Sequence, residues 1–263
     1  MIPRLVFPVS ALLFAWSILP SAQQKSVPSS PQAQTASPAP AETLQAPRTY
    51  FDRAWHLCFP AGGSSKPYVL RAEFEAKGAN GITTGHYKDT WMSETQWRRE
   101  ATFGESRCIR TRNGNQRYEL TEGPDVPALR FIMRALEPIP AADKVVDSAW
   151  KVKADVIDGV RVIRLLAGSE NPDGTLDPKQ DLAYWFDQSG LLVRTNLTGF
   201  QTDFRGFEAY GKLSVARLIS VRQYEALAIR IRITDLKPSP RLSADRFRIP
   251  GYKVERILRA EER

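Results

Sequence analysis

Tyr68-Val69-Leu70-Arg71-Ala72-Glu73-Phe74-Glu75-Ala76-Lys77 changes character at every step. Tyr68, Leu70, Ala72, Phe74 and Ala76 fall on one side, and Arg71, Glu73, Glu75 and Lys77 on the other. A period of two belongs to a strand with one face buried and one face in water. Asn80-Gly81 follows, a dipeptide strongly favoured in tight hairpin turns. The return strand sets Tyr87 and Trp91 on one face and His86 and Lys88 on the other. Hairpin-joined, half-buried strands make an antiparallel sheet.

The same alternation recurs downstream. Trp97, Arg99, Ala101 and Phe103 share a face, Gly104 interrupts, Arg107 to Thr111 resumes, and Asn113-Gly114 turns the chain into Arg117 to Thr121. A second block begins near Trp150, turns at Asp158-Gly159 and returns through Val160 to Leu166. After the polar loop Gly168 to Gln180, the residues Leu182, Tyr184 and Phe186 lead through Asp187 to Gly190 into Leu191 to Leu197. Leu213, Val215, Ile219 and Val221 share a face, and Leu227, Ile229, Ile231 and Ile233 alternate strictly with polar or small neighbours.

Two segments follow a helical period instead. Val126, Leu129, Met133 and Leu136 form one stripe, with Asp125 as the expected cap, Pro127 in the first turn, and Pro138 and Pro140 beyond the end. Tyr50, Ala54 and Leu57 or Cys58 are helically spaced within Arg48 to Phe59. The fold predicted is mainly β, in the α+β class. About ten strands form a single antiparallel sheet, with two or three short helices against one face.

Arg4 is the only charged residue before Lys25, and Leu5 to Pro20 is uncharged and largely apolar. Residues 1–22 are therefore predicted to be a cleavable export signal, ending in the small residues Ser21-Ala22. The apolar run is short for a membrane span, and an uncleaved inner-membrane anchor is the alternative. Residues 23–47 mix Pro, Ser, Ala, Gln and Thr with almost no large apolar side chains, the composition of a disordered linker. The folded domain is placed at 48–263. The net charge of +8 is scattered, without the basic tract or the motif that nucleic-acid binding would call for.

Catalytic signatures are missing from the sequence. His56 and His86 sit on different elements without metal-ligand spacing, and neither a G-x-S-x-G elbow nor a phosphate-binding glycine loop occurs. No cofactor, metal site or enzymatic activity is predicted. Cys58 and Cys108 are the only cysteines. They are either a disulfide, worth about 4 kcal/mol for a loop of this size, or two buried small apolar residues. Tyr87, Trp91, Trp97, Phe103, Tyr184 and Phe186 point inward by alternation. They either line an apolar pocket or fill a core. Arg99 is the polar exception on that face, unless a bulge near Arg98 turns it outward, whereas by alternation Arg98 faces outward with Gln96 and Glu100.

Several stretches resemble the lipoprotein-carrier superfamily, the periplasmic carrier and its outer-membrane acceptor. Trp97-Arg98-Arg99-Glu100 followed by Asn113-Gly114 and Tyr118 resembles an arginine strand, turn and aromatic block. Pro127-Ala128-Leu129 resembles the opening of a lid helix, and Tyr184-Trp185-Phe186-Asp187 with Gly190-Leu191 a strand-turn-strand. The ending Leu242-Ser243-Ala244-Asp245-Arg246-Phe247-Arg248-Ile249-Pro250 is similar to the family's terminal D-x-x-F-x-x-P signature. The Trp-Arg-Arg-Glu strand is also similar to one in exported acidobacterial proteins of unknown role.

The resemblance implies a curved, incomplete barrel with its helices on the concave face, and a cavity arginine, Arg98 or Arg99, that helps latch the lid. The expected function is then a non-catalytic periplasmic carrier holding an apolar or lipidic ligand. The residues expected to contact it are Tyr87, Trp91, Trp97, Arg99, Phe103, Leu129, Met133, Tyr184 and Phe186. Transient contact with a membrane surface is compatible with that role. The alternative is a cell-envelope interaction or sensor domain with a filled core, whose basic surface meets a protein or an acidic polymer.

Overall fold

The computed structural model describes residues 44–63, 66–78, 81–168, 182–223, 226–239 and 242–248. The predicted export signal, the linker up to residue 43, the polar loop from 169 and the terminal Pro250 lie outside the described residues.

Helices α1 (Pro47–Cys58) and α2 (Pro60–Gly63) come first. Five strands follow: β1 (Tyr68–Gly78), β2 (Gly81–Ser93), β3 (Gln96–Phe103), β4 (Ser106–Asn113) and β5 (Gln116–Glu122). A connection carries α3 (Pro127–Ala135) and two 3-10 turns, Ala142–Lys144 and Asp147–Ala149. Then come β6 (Lys151–Ile157), β7 (Val160–Ala167), β8 (Leu182–Asp187), β9 (Leu192–Leu197), β10 (Phe200–Tyr210), β11 (Leu213–Gln223) and β12 (Ala226–Pro238). A last 3-10 turn spans Ala244–Phe247.

Proline sets the helix boundaries. Val126 and Phe59, each before a proline, are extended because the following ring disfavours the helical region. Pro127 then occupies the first helical position, where a missing N–H costs nothing. The expected cap at Asp125 is thereby displaced: Val126 is the cap residue, and Asp125 instead lies 3.6 Å from Arg130.

All the described strands belong to one antiparallel sheet in the order β5-β4-β3-β2-β1-β12-β11-β10-β9-β8-β7-β6. It is curved and does not close into a barrel, so β5 and β6 are its edges. Register shifts at Trp91/Ser93, Arg71/Ala72, Val221/Arg222 and Trp185/Phe186 mark bulges, which bend strands and increase twist. The connection bearing α3 runs from one edge strand to the other across the concave face.

Two cores lie under the helices. The Leu129, Ile132 and Met133 face of α3 packs on β3, β11 and β12. Tyr50, Phe51 and Ala54 of α1 pack on Ile163, Leu165, Tyr184, Phe186 and Leu192. A smaller cluster of Val162, Leu166, Ala183 and Trp185 sits on the opposite face of β7 and β8.

Among the described residues twelve strands replace the expected ten or so, the unforeseen one being β10. Its alternation runs through Phe200, Thr202 and Phe204, but Gly206 at φ +62° breaks the phase. Phe204 and Phe207 then both reach the core although three residues apart. The cysteine bridge is also corrected. Both thiols are free: the Cys58 sulfur accepts from the Leu192 amide of β9 at 3.4 Å, whereas Cys108 lies on β4 opposite Ala101. Six strands separate β4 from β9 in the sheet order, and a disulfide needs Cα atoms within about 7 Å.

Candidate binding site on the concave face

β2 and β3 bring an acid and a base together inside the sheet. Asp89 and Arg99 are cross-strand register partners. Arg99 Nε lies 3.8 Å from Asp89 Oδ2, too far for a hydrogen bond, and the guanidinium stands 4.5 Å from the Trp97 ring centre. Tyr68 of β1 donates its hydroxyl to Asp89 Oδ2 at 3.2 Å. Asp89 and Arg99 are only 5% and 7% exposed. The Asp89 carboxyl is pushed above the usual carboxylate range because burial outweighs the help of Arg99 and Tyr68. Burial first, and the Asp89 charge second, hold the Tyr68 and Tyr87 hydroxyls well above their ordinary values.

This polar centre is incompletely satisfied. Tyr87 Oη, Asp89 Oδ1 and Arg99 Nε are buried and have no hydrogen-bond partner among the described residues. Buried polar atoms are usually paired, so three in one place mark a site rather than a packing detail.

Two spaces meet here. A cavity of about 60 Å³ is bounded by Tyr68, Leu70, Tyr87 and Asp89 below and by Ala135, Leu136 and Pro138 of the connection above. A larger groove of about 1040 Å³ runs past α3. Its walls include Trp91, Trp97 and Arg99, then Arg110, Arg112 and Tyr118 toward the β5 edge. Tyr184, Leu192 and Phe204 lie on the other side, and Trp55 and Phe59 close one end. The mixed lining suits a molecule with polar and apolar parts better than pure hydrocarbon.

The connection is fastened at both ends. Arg134 of α3 donates to the Leu197 carbonyl at 2.7 Å and the Thr198 hydroxyl at 3.0 Å, and stacks 4.8 Å from the Phe200 ring centre. Arg48 of α1 binds Asp147 through its amide at 2.9 Å and its Nε at 2.5 Å. Arg134 thus ties the connection to the β9–β10 turn, while Arg99 is engaged with Asp89 and Trp97.

Among the residues singled out in the sequence, Tyr87 faces the cavity, and Trp91, Trp97, Arg99 and Tyr184 face the groove. Phe103, Leu129, Met133 and Phe186 pack instead. Phe103 stacks on Phe74 at 5.8 Å, Phe186 lies edge-on to Phe51, and the α3 stripe is turned down onto the sheet. Asp89 was overlooked, although it sits in phase between Tyr87 and Trp91, an acidic residue at an inward position.

Arg98 faces the convex side as expected, but solvent does not surround it. It pairs with Glu100 and donates to the carbonyls of Arg246 at 3.4 Å and Arg248 at 3.0 Å. There the segment Leu242–Arg248 crosses β3 and β4. Phe247 is fully buried, its carbonyl accepting from Thr111 Oγ1 at 3.1 Å.

No family model matches the sequence, and no curated protein matches it. Solved structures do. The chain is similar to a LolA superfamily protein. That protein, from Nitrosomonas europaea, is 10% identical over 78% of this chain and 99% of its own, with a TM-score of 0.49. A putative outer membrane lipoprotein-sorting protein domain from Vibrio parahaemolyticus is 11% identical over 76% and 92%, with a TM-score of 0.45. A DUF1329 family protein from Desulfovibrio piger is 12% identical over 76% and 96%, with a TM-score of 0.47. Among the described residues, no three His, Cys, Asp or Glu side chains gather as a metal site.

Proposed function

We propose that this chain is an exported, non-catalytic carrier of the cell envelope that holds a lipid-like amphiphile on its concave face. The observation that carries the reading is the groove of about 1040 Å³, walled by aromatic and charged side chains beneath a connection tied to both sheet edges. Residues 1–22 direct export and are removed, residues 23–47 tether, and residues 48–263 fold into the carrier domain. The apolar part of the ligand lies along Trp91, Trp97 and Tyr184, and its polar end reaches Arg99.

Native mass spectrometry of protein purified from its own envelope tests this. A co-purified lipid-sized adduct, released by denaturation, is expected. A chain that emerges with no adduct and binds no added amphiphile overturns the reading. N-terminal sequencing of the same sample should begin near Gln23; an intact Met1 overturns the cleavage.

A second reading is favoured by one observation: the cavity beside the polar centre is only about 60 Å³, and the helix-to-sheet cores are otherwise filled. On that reading the domain is an interaction module whose groove takes a protein segment. Adduct-free protein that captures an envelope protein would support it over the carrier.

A further inference from the structure

We infer that the polar centre beneath the connection selects ligands with an uncharged headgroup carrying both a hydrogen-bond donor and an acceptor, an amide or hydroxyl, over carboxylates and phosphates. The inference rests on the carrier reading and narrows it.

The three unpartnered buried atoms differ in kind. Asp89 Oδ1 only accepts, Arg99 Nε–H only donates, and Tyr87 Oη does either. A group that satisfies all three must itself both give and receive hydrogen bonds. A deprotonated carboxylate or a phosphate dianion has nothing to give to Asp89 Oδ1.

Charge points the same way. Asp89 and Arg99 cancel at 3.8 Å. The next charges acting on the centre are Glu137, felt by Tyr87 and Arg99, and Arg110, felt by Tyr87, again one of each sign. An anion beside Arg99 would face Asp89 in the same water-poor space, and like charges there repel strongly. Were the centre built for anions, the arginine would stand without its acid.

Size agrees. A cavity of about 60 Å³ has room for about four water-sized groups. That is the scale of a glyceryl or ethanolamide head reaching Tyr87 and Asp89, with Arg99 facing it from the adjoining groove; Leu70, Phe207, Val215 and Ile233 make an apolar wall.

The test compares 1-monolauroylglycerol with laurate, whose chains are equal so that the apolar contribution cancels. Binding is read by tryptophan fluorescence, Trp97 lying beside Arg99 and Trp91 stacked on Tyr68. At pH 7.5 the neutral probe should bind at least about tenfold more tightly than laurate, a difference of about 1.4 kcal/mol. Asp89→Asn leaves the arginine charge uncompensated and should shift the ratio toward laurate by about tenfold or more. Tyr87→Phe removes only a hydroxyl and should weaken the neutral probe while sparing laurate; it decides the matter if Asp89→Asn does not fold. Equal binding of the two probes, or a ratio unchanged in both folded variants, overturns the inference and leaves the carrier reading standing. If neither probe binds, the carrier reading fails and this inference with it.

Discussion

Phe247→Ala probes the strap on the back of the sheet. The ring is 0% exposed, although it belongs to a short segment beyond the last strand. Burying a phenylalanine covers about 150–250 Å². At about 25 cal/mol per Å² that contributes about 4–6 kcal/mol, in line with the 3–5 kcal/mol typical of Phe→Ala in cores. The strap is anchored on one face only, so it can lift while the sheet stays intact. The loss therefore saturates at the strap's own opening free energy, and about 3 kcal/mol is the expected size. For a domain of this length that lowers Tm by about 6–12 °C. Trypsin gives a local readout, because Arg246 and Arg248 are exposed residues whose carbonyls Arg98 holds. Cleavage there should be slow in the parent chain and fast in the variant, well below the melting transition. A Tm within about 2 °C of the parent, together with unchanged cleavage, would refute the assignment of Phe247 as the strap's anchor.

Arg98→Leu should act in the same direction by about 1–3 kcal/mol, the scale of charge-assisted hydrogen bonds, read as faster cleavage at Arg246; unchanged cleavage counts against it. Gly85→Ala places a Cβ 2.3 Å from Phe74 Cζ and 2.6 Å from the Thr102 carbonyl oxygen, so Phe74 must leave its stack on Phe103. About 1–3 kcal/mol of stability should be lost in urea unfolding, and a neutral result refutes the close approach. Burial raises Asp89 above its unfolded value, so its contribution to stability is full below about pH 3.9 and is lost as pH rises through the raised pKa. Asp89→Asn should flatten that part of the stability profile, and an unaltered profile contradicts the assignment. Burial also pushes the Cys58 thiol up to about 11. Native protein at pH 8 should therefore label slowly there, and unreduced, denatured protein should show two thiols; none would restore the bridge.

Alternation carried most of the sheet into view before any coordinates, because each half-buried strand writes its two faces into the sequence. Where a backbone irregularity resets the phase, as at Gly206, the signal fails and β10 disappears. The polar centre was half legible. Arg99 stood out against Trp97 and Phe103, whereas Asp89, an acidic residue in phase with Tyr87 and Trp91, drew no notice. Only pairing β2 with β3 makes them partners. The role of Arg98 was beyond any local pattern, since the carbonyls it holds lie 148 and 150 residues away. Facing outward was read as facing water, and the strap shows that a convex face can be covered too. The contacts of Arg134 were out of reach for a related reason. A helix residue such as Arg134 reveals its partner only once the β9–β10 turn is placed beneath it.

The middle of the sheet is where the two ends of the domain meet, with Tyr68 of the first strand opposite Pro238 of the last. Every other strand pair is made by neighbours in sequence, so two meanders can form early, each as soon as its own residues are available. The joint between them must wait for the final strand. During vectorial synthesis β1 therefore offers an eleven-residue open edge until Ala226–Pro238 emerges. An unpaired edge of that length is a template for another chain. The interval before the seam closes is when this protein is most exposed to aggregation, and a chain cut short before β12 would remain two half-sheets joined only through the connection that bears α3.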